Sequence, residues 1–209
     1  MNFTTQHSDK PLSLLNLSQQ QIAERLQPVG VVCNSSSNPS SYSTVSEKKA
    51  TERPRPSAVL LPLLWRDDQW HILLIRRSES VSHHKGQVAF PGGCWENSDN
   101  SLLETALRET REELGETVCP VKILGSLPSV TTNSTGYIIY PFVALLEDPL
   151  FLEPDAQEVA DVFTLPLTVF TTPSRTEPVE FDSDNINIWG ATARITEQFI
   201  QYLKHGELL

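Results

Sequence analysis

The chain is short of basic residues, cysteines and long apolar runs. Lysine and arginine number 16 against 26 acidic residues, so the net charge is −10 at pH 7. A nucleic-acid surface normally shows a basic stripe, and this balance argues against one. The three cysteines, Cys33, Cys94 and Cys119, lie far apart in no metal-ligand spacing. Their odd number suits free thiols in a reducing cytosol. No apolar stretch approaches the length that spans a bilayer. The opening "MNFTTQHSDKPLSLLNLS" has neither the basic start nor the apolar run of a secretory leader. The expectation is a cytoplasmic protein with no membrane or nucleic-acid partner. If its ligand is anionic, cations must hold it there, which points towards metal.

Hydrophobic residues make up 39% of 209 positions, enough for one sizeable domain with extra segments at its ends. Ser18 with Gln21 has the form of a capping box. It predicts a short helix in a segment over residues 1–30, with Ile22, Ala23 and Leu26 as its buried side. Residues 31–56 include seven serines between positions 34 and 46. That composition buries too little surface to order itself and reads as a flexible linker. Deleting residues 1–50 is therefore expected to spare catalysis.

Residues 57–205 read as one α/β domain. "SAVLLPLLWR" and "WHILLIRR" flank Asp67-Asp68 and predict a hairpin, with Pro62 placing the first strand at an edge or a bulge. "GQVAF" predicts a third strand closed by Pro91-Gly92-Gly93. A helix is expected over 101–114, then strands in "CPVKILGSL", "GYIIYPFVALL" and "EVADVFTLP". "NINIWG" leads into an amphipathic helix, "ATARITEQFIQYLKH". Trp189 is read as core or helix-entry packing.

Within the helix, Leu103, Ala106, Leu107, Thr110 and Leu114 form the expected core stripe. Gly115 is expected to end it in the αL conformation. Glu109, Glu112, Glu113 and Glu116 crowd the carbonyl end, where the helix dipole and their mutual repulsion both disfavour them. A solvated acidic face is one reading. The other is a divalent cation, which turns that repulsion into a set of oxygen ligands. Arg108, four residues before Glu112, is close enough to orient its carboxylate.

The stretch "GGCWENSDNSLLETALRETREELG", residues 92–115, resembles the Nudix box, the signature of the Nudix hydrolases. Gly93, Asp99, Arg108-Glu109, Glu112-Glu113 and Gly115 take its fixed positions. Asp99 stands where the general pattern has Glu, and the gap from it to Arg108 is one residue longer. Upstream, "LLIRRSESVSHHKGQVAFPGG", residues 73–93, is similar to the motif of the coenzyme A pyrophosphatase branch. Leu73, Leu74, Arg77, Ser78, Gly86, Phe90, Pro91, Gly92 and Gly93 match it; Ile75 and Ser82 depart, the latter replacing an arginine. "LPSVTTNSTGYIIYPFVALL", residues 127–146, also resembles that branch.

The resemblance implies a Nudix-type α/β/α sandwich with a mixed sheet and metal-dependent hydrolysis of a small nucleotide. For the coenzyme A branch the products are 3′,5′-ADP and 4′-phosphopantetheine. Mg2+ or Mn2+ would neutralise the pyrophosphate oxygens and orient the attack. Glu109 and Glu113 are the expected metal ligands, with Glu112 a third or an outer partner, and Arg108 fixes their geometry. The base is either Glu113, acting through water, or Glu158. Arg77, Ser78, Lys85, Gly92 and Gly93 are expected at the substrate, the glycines permitting a tight turn and close approach. His83-His84, Glu153 and Asp155 read as loop residues with no part in the site. A homodimer is compatible with the sequence. The alternatives are a hydrolase of ADP-ribose, NADH or another nucleoside diphosphate derivative, and a non-catalytic nucleotide sensor. The intact acidic cluster argues against the sensor.

Overall fold

A computed structural model describes residues 17–29, 54–80, 84–118, 122–132, 136–147 and 150–205. Most of the expected linker, with Cys33, Ser82, His83 and Cys119, lies outside the described residues. The elements in chain order are α1 (Gln19–Ala23), β1 (Arg55–Arg66), β2 (Gln69–Arg77), β3 (Val88–Ala89), β4 (Gly92–Cys94) and α2 (Leu102–Leu114). Then come β5 (Lys122–Ser126), β6 (Val130–Thr131), β7 (Tyr137–Leu145), β8 (Val159–Pro166), β9 (Arg175–Thr176), β10 (Val179–Ser183), β11 (Ile186–Ile188) and α3 (Gly190–His205).

The main sheet runs β3–β2–β1–β7–β5, with β4 also on β1, β6 on β7 and β8 on β2. β1 and β7 are parallel from Arg55↔Tyr137 to Leu63↔Leu145, while the other pairs are antiparallel, so the sheet is mixed as expected. Asp67 and Asp68 both have positive φ, 50° and 57°, which suits a two-residue turn matched to the strand twist.

Side chains alternate across the sheet. Ala58 and Leu60 of β1, with Phe142 and Ala144 of β7, pack against Ala106 of α2 on one face. Leu61, Leu63, Val143 and Leu145 point to the other, where Ala193, Phe199, Ile200 and Leu203 of α3 cover them. Burial on both faces explains why β1 reads as a continuous apolar run.

Pro62 does not mark an edge. β1 is central, and one of its neighbours changes from β4, at Ser57–Val59, to β2, at Leu63–Arg66. Pro62 falls in the gap between those ladders, where its missing N–H leaves no bond unmade. The core stripe of α2 is also rotated from expectation. Thr105, Ala106, Thr110, Glu113 and Leu114 are buried, and Leu103 and Leu107 only half-buried. Gly115 has φ 105° and ψ 151°, outside the αL region, though still a backbone that excludes most side chains. The strands β9 and β10 were not expected: Val179 and Phe181 alternate with Glu180 and Asp182 and are buried, but the run is only five residues long.

The N-terminal segment is part of the core. Ser18 Oγ accepts the Gln21 N–H and the Gln21 side chain accepts the Ser18 N–H, completing the capping box. Leu17, Ile22 and Leu26 join the same apolar cluster as α3. Trp70 Nε1 donates to the Leu17 carbonyl at 2.8 Å, and Arg25 donates to the carbonyl of Leu203. A boundary at residue 57 leaves out Leu17, Ile22 and Leu26, which pack into the core of the domain. Ile22, 0% exposed, supplies the test. Ile22→Ala should lower unfolding stability by about 2–5 kcal/mol in urea titration. A loss below about 1 kcal/mol would mean that the segment does not pack.

Candidate active site

α2 begins at Ser101, whose Oγ accepts the Glu104 N–H at 3.1 Å, and its C-terminal half carries the acids. Packing separates them. The side chain of Glu113 is 1% exposed, Glu109 16% and Glu112 52%, while Glu116 lies beyond the helix.

A carboxylate as buried as Glu113 requires partners. Its Oε1 accepts from Arg77 Nη1 at 2.9 Å, and its Oε2 accepts the Gly92 N–H at 2.9 Å. Burial still pushes the Glu113 carboxyl up to about 8, with Gly92 and Arg77 opposing and Glu109 and Glu158 adding to the rise. Glu109 is raised too, first by burial, with Arg108 opposing and Glu112 and Glu158 adding. Glu158 lies half-buried in the turn before β8, near enough to act on both. The fold thus gathers carboxylates from two distant segments.

Arg108 holds one side of this cluster. Its Nε and Nη2 meet the two Asp99 oxygens at 2.9 and 3.0 Å, a bidentate pair. Its Nη1 donates to Glu109 at 3.1 Å and to Glu112 at 2.9 Å, and Nη2 also reaches the Cys94 carbonyl at 3.1 Å. Asp99, further bonded by Thr105 Oγ1 and the Glu96 N–H, is held down to about 2, chiefly by Arg108.

The glycines differ from expectation in their surroundings. Gly92 and Gly93 lie in β4 and pair with Val59 and Ala58. A Cβ on Gly93 would come 2.4 Å from the Glu109 carboxyl carbon, so its bareness makes room for that acid. Arg77, expected at substrate phosphate, bonds Glu113 through Nη1. Ser78 is buried; its N–H donates to the Glu158 carbonyl at 2.8 Å and its Oγ accepts the Ser80 N–H at 3.1 Å. Lys85 is exposed on the loop before β3. His84 stays on that loop, with Nδ1 3.0 Å from Gln87 Oε1. Trp189 is 48% exposed, which does not fit core packing. Asp155 is bonded to Glu113 through main-chain atoms, a link with no signal in the sequence beyond the turn-forming Pro154-Asp155 pair.

Repelling carboxylates are the hard oxygen donors that Mg2+ and Mn2+ prefer. Among the described residues no three His, Cys, Asp or Glu side chains converge enough to enclose an ion. Mg2+ does not require enclosure: it keeps several waters and takes one or two carboxylates together with substrate phosphate. The donor set therefore fits an open divalent site. No helix among the described residues is long and apolar enough to cross a membrane.

A Nudix domain model matches residues 54–182. An uncharacterized Nudix hydrolase NudL of Yersinia enterocolitica is 36% identical over 157 residues, covering 69% of this chain and 80% of the relative. The NudL of Photorhabdus laumondii is 34% identical over 169 residues, covering 75% and 89%. In fold, the chain resembles the Nudix domain of Shewanella oneidensis NrtR, solved with ADP-ribose, with TM-score 0.55 and 23% identity over 76% of this chain and 94% of that one. A MutT protein of Methanosarcina mazei gives TM-score 0.51 and 21% identity, over 73% and 97%. With its signature helix folded against the sheet and its acids gathered at one end of it, the chain belongs to the Nudix hydrolase family.

Proposed function

We propose that the chain hydrolyses the pyrophosphate bond of coenzyme A, or an acyl derivative, in the cytoplasm, giving 3′,5′-ADP and 4′-phosphopantetheine. Glu109 and Glu113 would hold Mg2+ or Mn2+, with Glu112 a third ligand or an outer partner, and Arg108 would fix their geometry. The carrying observation is the convergence on Glu113. The segment resembling the coenzyme A branch supplies Arg77 and Gly92, and both bond the central acid of the Nudix helix. Arg77, upstream of the box, and Gly92, which the two motifs share, thus both bond one acid of the Nudix helix.

A divalent cation, when bound there, would neutralise charge on the pyrophosphate oxygens, which otherwise repel an incoming water. The protein groups divide the remaining work. Arg77 and the Gly92 N–H hold Glu113 in one orientation. Both Glu113 oxygens have partners, which favours Glu158 for taking the proton of the attacking water. Lys85, exposed on the loop before β3, supplies a cation for substrate phosphate.

The test is a product assay on coenzyme A, ADP-ribose and NADH, in Mg2+ and then Mn2+. Release of 3′,5′-ADP from coenzyme A, dependent on metal, is the expected outcome. Cleavage of only the other substrates would discard the coenzyme A assignment and keep the hydrolase. Binding without cleavage would favour a sensor.

A further inference from the structure

The segment that enters β8 is built as a strap across the end of α2. Glu153 N–H donates to the Leu114 carbonyl at 2.8 Å, and Asp155 N–H donates to the Glu113 carbonyl at 3.1 Å. Both acceptors belong to the last turn of α2, where carbonyls lack helical partners. Thr117 Oγ1 fastens the start of the strap, donating to the Phe151 carbonyl at 2.6 Å. The fit is close: a Cβ on Gly115 would stand 3.0 Å from Glu153 Cβ and 3.1 Å from its nitrogen.

Asp155 then joins the strap to the following turn. Its carbonyl accepts the N–H groups of Glu158 and Val159 at 2.9 and 2.8 Å. Its carboxylate accepts the Gln157 N–H at 2.8 Å, the bond of an Asx turn. Glu158 is pinned from its other side, where its carbonyl accepts the Ser78 N–H at 2.8 Å. Ser78 follows Arg77, whose guanidinium holds Glu113. One residue therefore bonds the main chains of two acids 45 positions apart, Glu113 and Glu158.

We infer that Asp155 is a positioning residue: through its Asx turn and main-chain bonds it sets Glu158 against the Glu109–Glu113 cluster. It acts without touching substrate. Its effect on rate rests on the hydrolytic role proposed above; its effect on geometry does not. Asp155→Asn keeps an oxygen that can accept the Gln157 N–H, and Asp155→Ala removes it.

The experiment compares wild type, Asp155→Asn and Asp155→Ala as full-length chains, on whichever of coenzyme A, ADP-ribose or NADH the wild type cleaves. Asp155→Ala should lose about tenfold or more in kcat with KM little changed, the size of effect seen when supporting groups around a metal site are removed. Asp155→Asn should recover most of it. Amide exchange of Glu158, Val159 and Ser78 should quicken in the alanine variant and stay slow in the asparagine one. Wild-type kcat in Asp155→Ala overturns the inference, as does an equal loss in both variants, which would implicate charge and not the turn. If the wild type cleaves none of the three substrates, the proposed function fails separately. Exchange then decides alone, and unchanged protection in Asp155→Ala overturns the strap.

Discussion

Glu113→Gln should lower metal-dependent turnover by about 10²–10⁴-fold while leaving the protein folded, as measured by steady-state kinetics and circular dichroism. Glutamine has a single acceptor oxygen, so it can keep the bond from Arg77 or from the Gly92 N–H but not both, and the charge that attracts a cation is gone. Near-wild-type turnover would defeat the site assignment. The substitution should also change the pH dependence of stability. The Glu113 carboxyl, ordinarily near 4.5, is pushed up to about 8 by burial. Because the folded value lies above the unfolded one, the folded chain holds the proton more tightly. Its stability penalty is absent below 4.5, grows through that window and is complete above 8. Metal-free Glu113→Gln should therefore melt higher than wild type at pH 8–9, and the two should converge near pH 4–5. Added Mg2+ or Mn2+ should raise the wild-type melting temperature and move the variant little. Equal metal shifts in both proteins would exclude Glu113 as a ligand.

Arg108→Ala should destabilise the protein by about 3 kcal/mol, because it leaves the buried Asp99 carboxylate without its cation, held only by Thr105 Oγ1 and the Glu96 N–H. It also frees Glu109 and Glu112, so activity should fall about 10–100-fold. Arg108→Lys should lie between, since an ammonium restores charge without the fork that meets both Asp99 oxygens. Low pH isolates the Asp99 part. Its folded carboxyl sits at about 2, below the ordinary 3.8, so the stability it contributes is present above 3.8 and lost as pH falls through 2. The gap between wild type and Arg108→Ala, read by urea titration, should be full above pH 4 and narrow towards pH 2. A constant gap would assign the loss to packing of the arginine stem.

Local patterns that repeat with a short period were legible before any folding was considered. The Asp67-Asp68 hairpin, the helix behind Ser101 and the long final helix all appear where alternation or helical spacing placed them. The short alternation of "VEFDS" does not by itself mark a strand, because its place in the small sheet depends on β9 and β11. Pro62 misled for a related reason. A missing N–H normally means an edge, and only the change of neighbours from β4 to β2 reveals a central position where it costs nothing. The serine-rich composition after residue 30 also suggested a boundary that the packing of Leu17, Ile22 and Leu26 crosses.

The sequence by itself determined that Glu109, Glu112 and Glu113 share one helix, because spacings of three and four residues place side chains together whatever surrounds them. It also determined that Arg108 lies within reach of Glu112. Only the tertiary structure decided which acid is buried, that Arg77 and Gly92 hold it, that Asp99 anchors Arg108, and that Asp155 brings Glu158 alongside. The bonds of Glu113 to Arg77, Gly92 and Asp155, and of Arg108 to Asp99, join residues 9 to 42 positions apart. No local period encodes such distances; they follow from β1 lying between β4 and β7, with α2 packed across them.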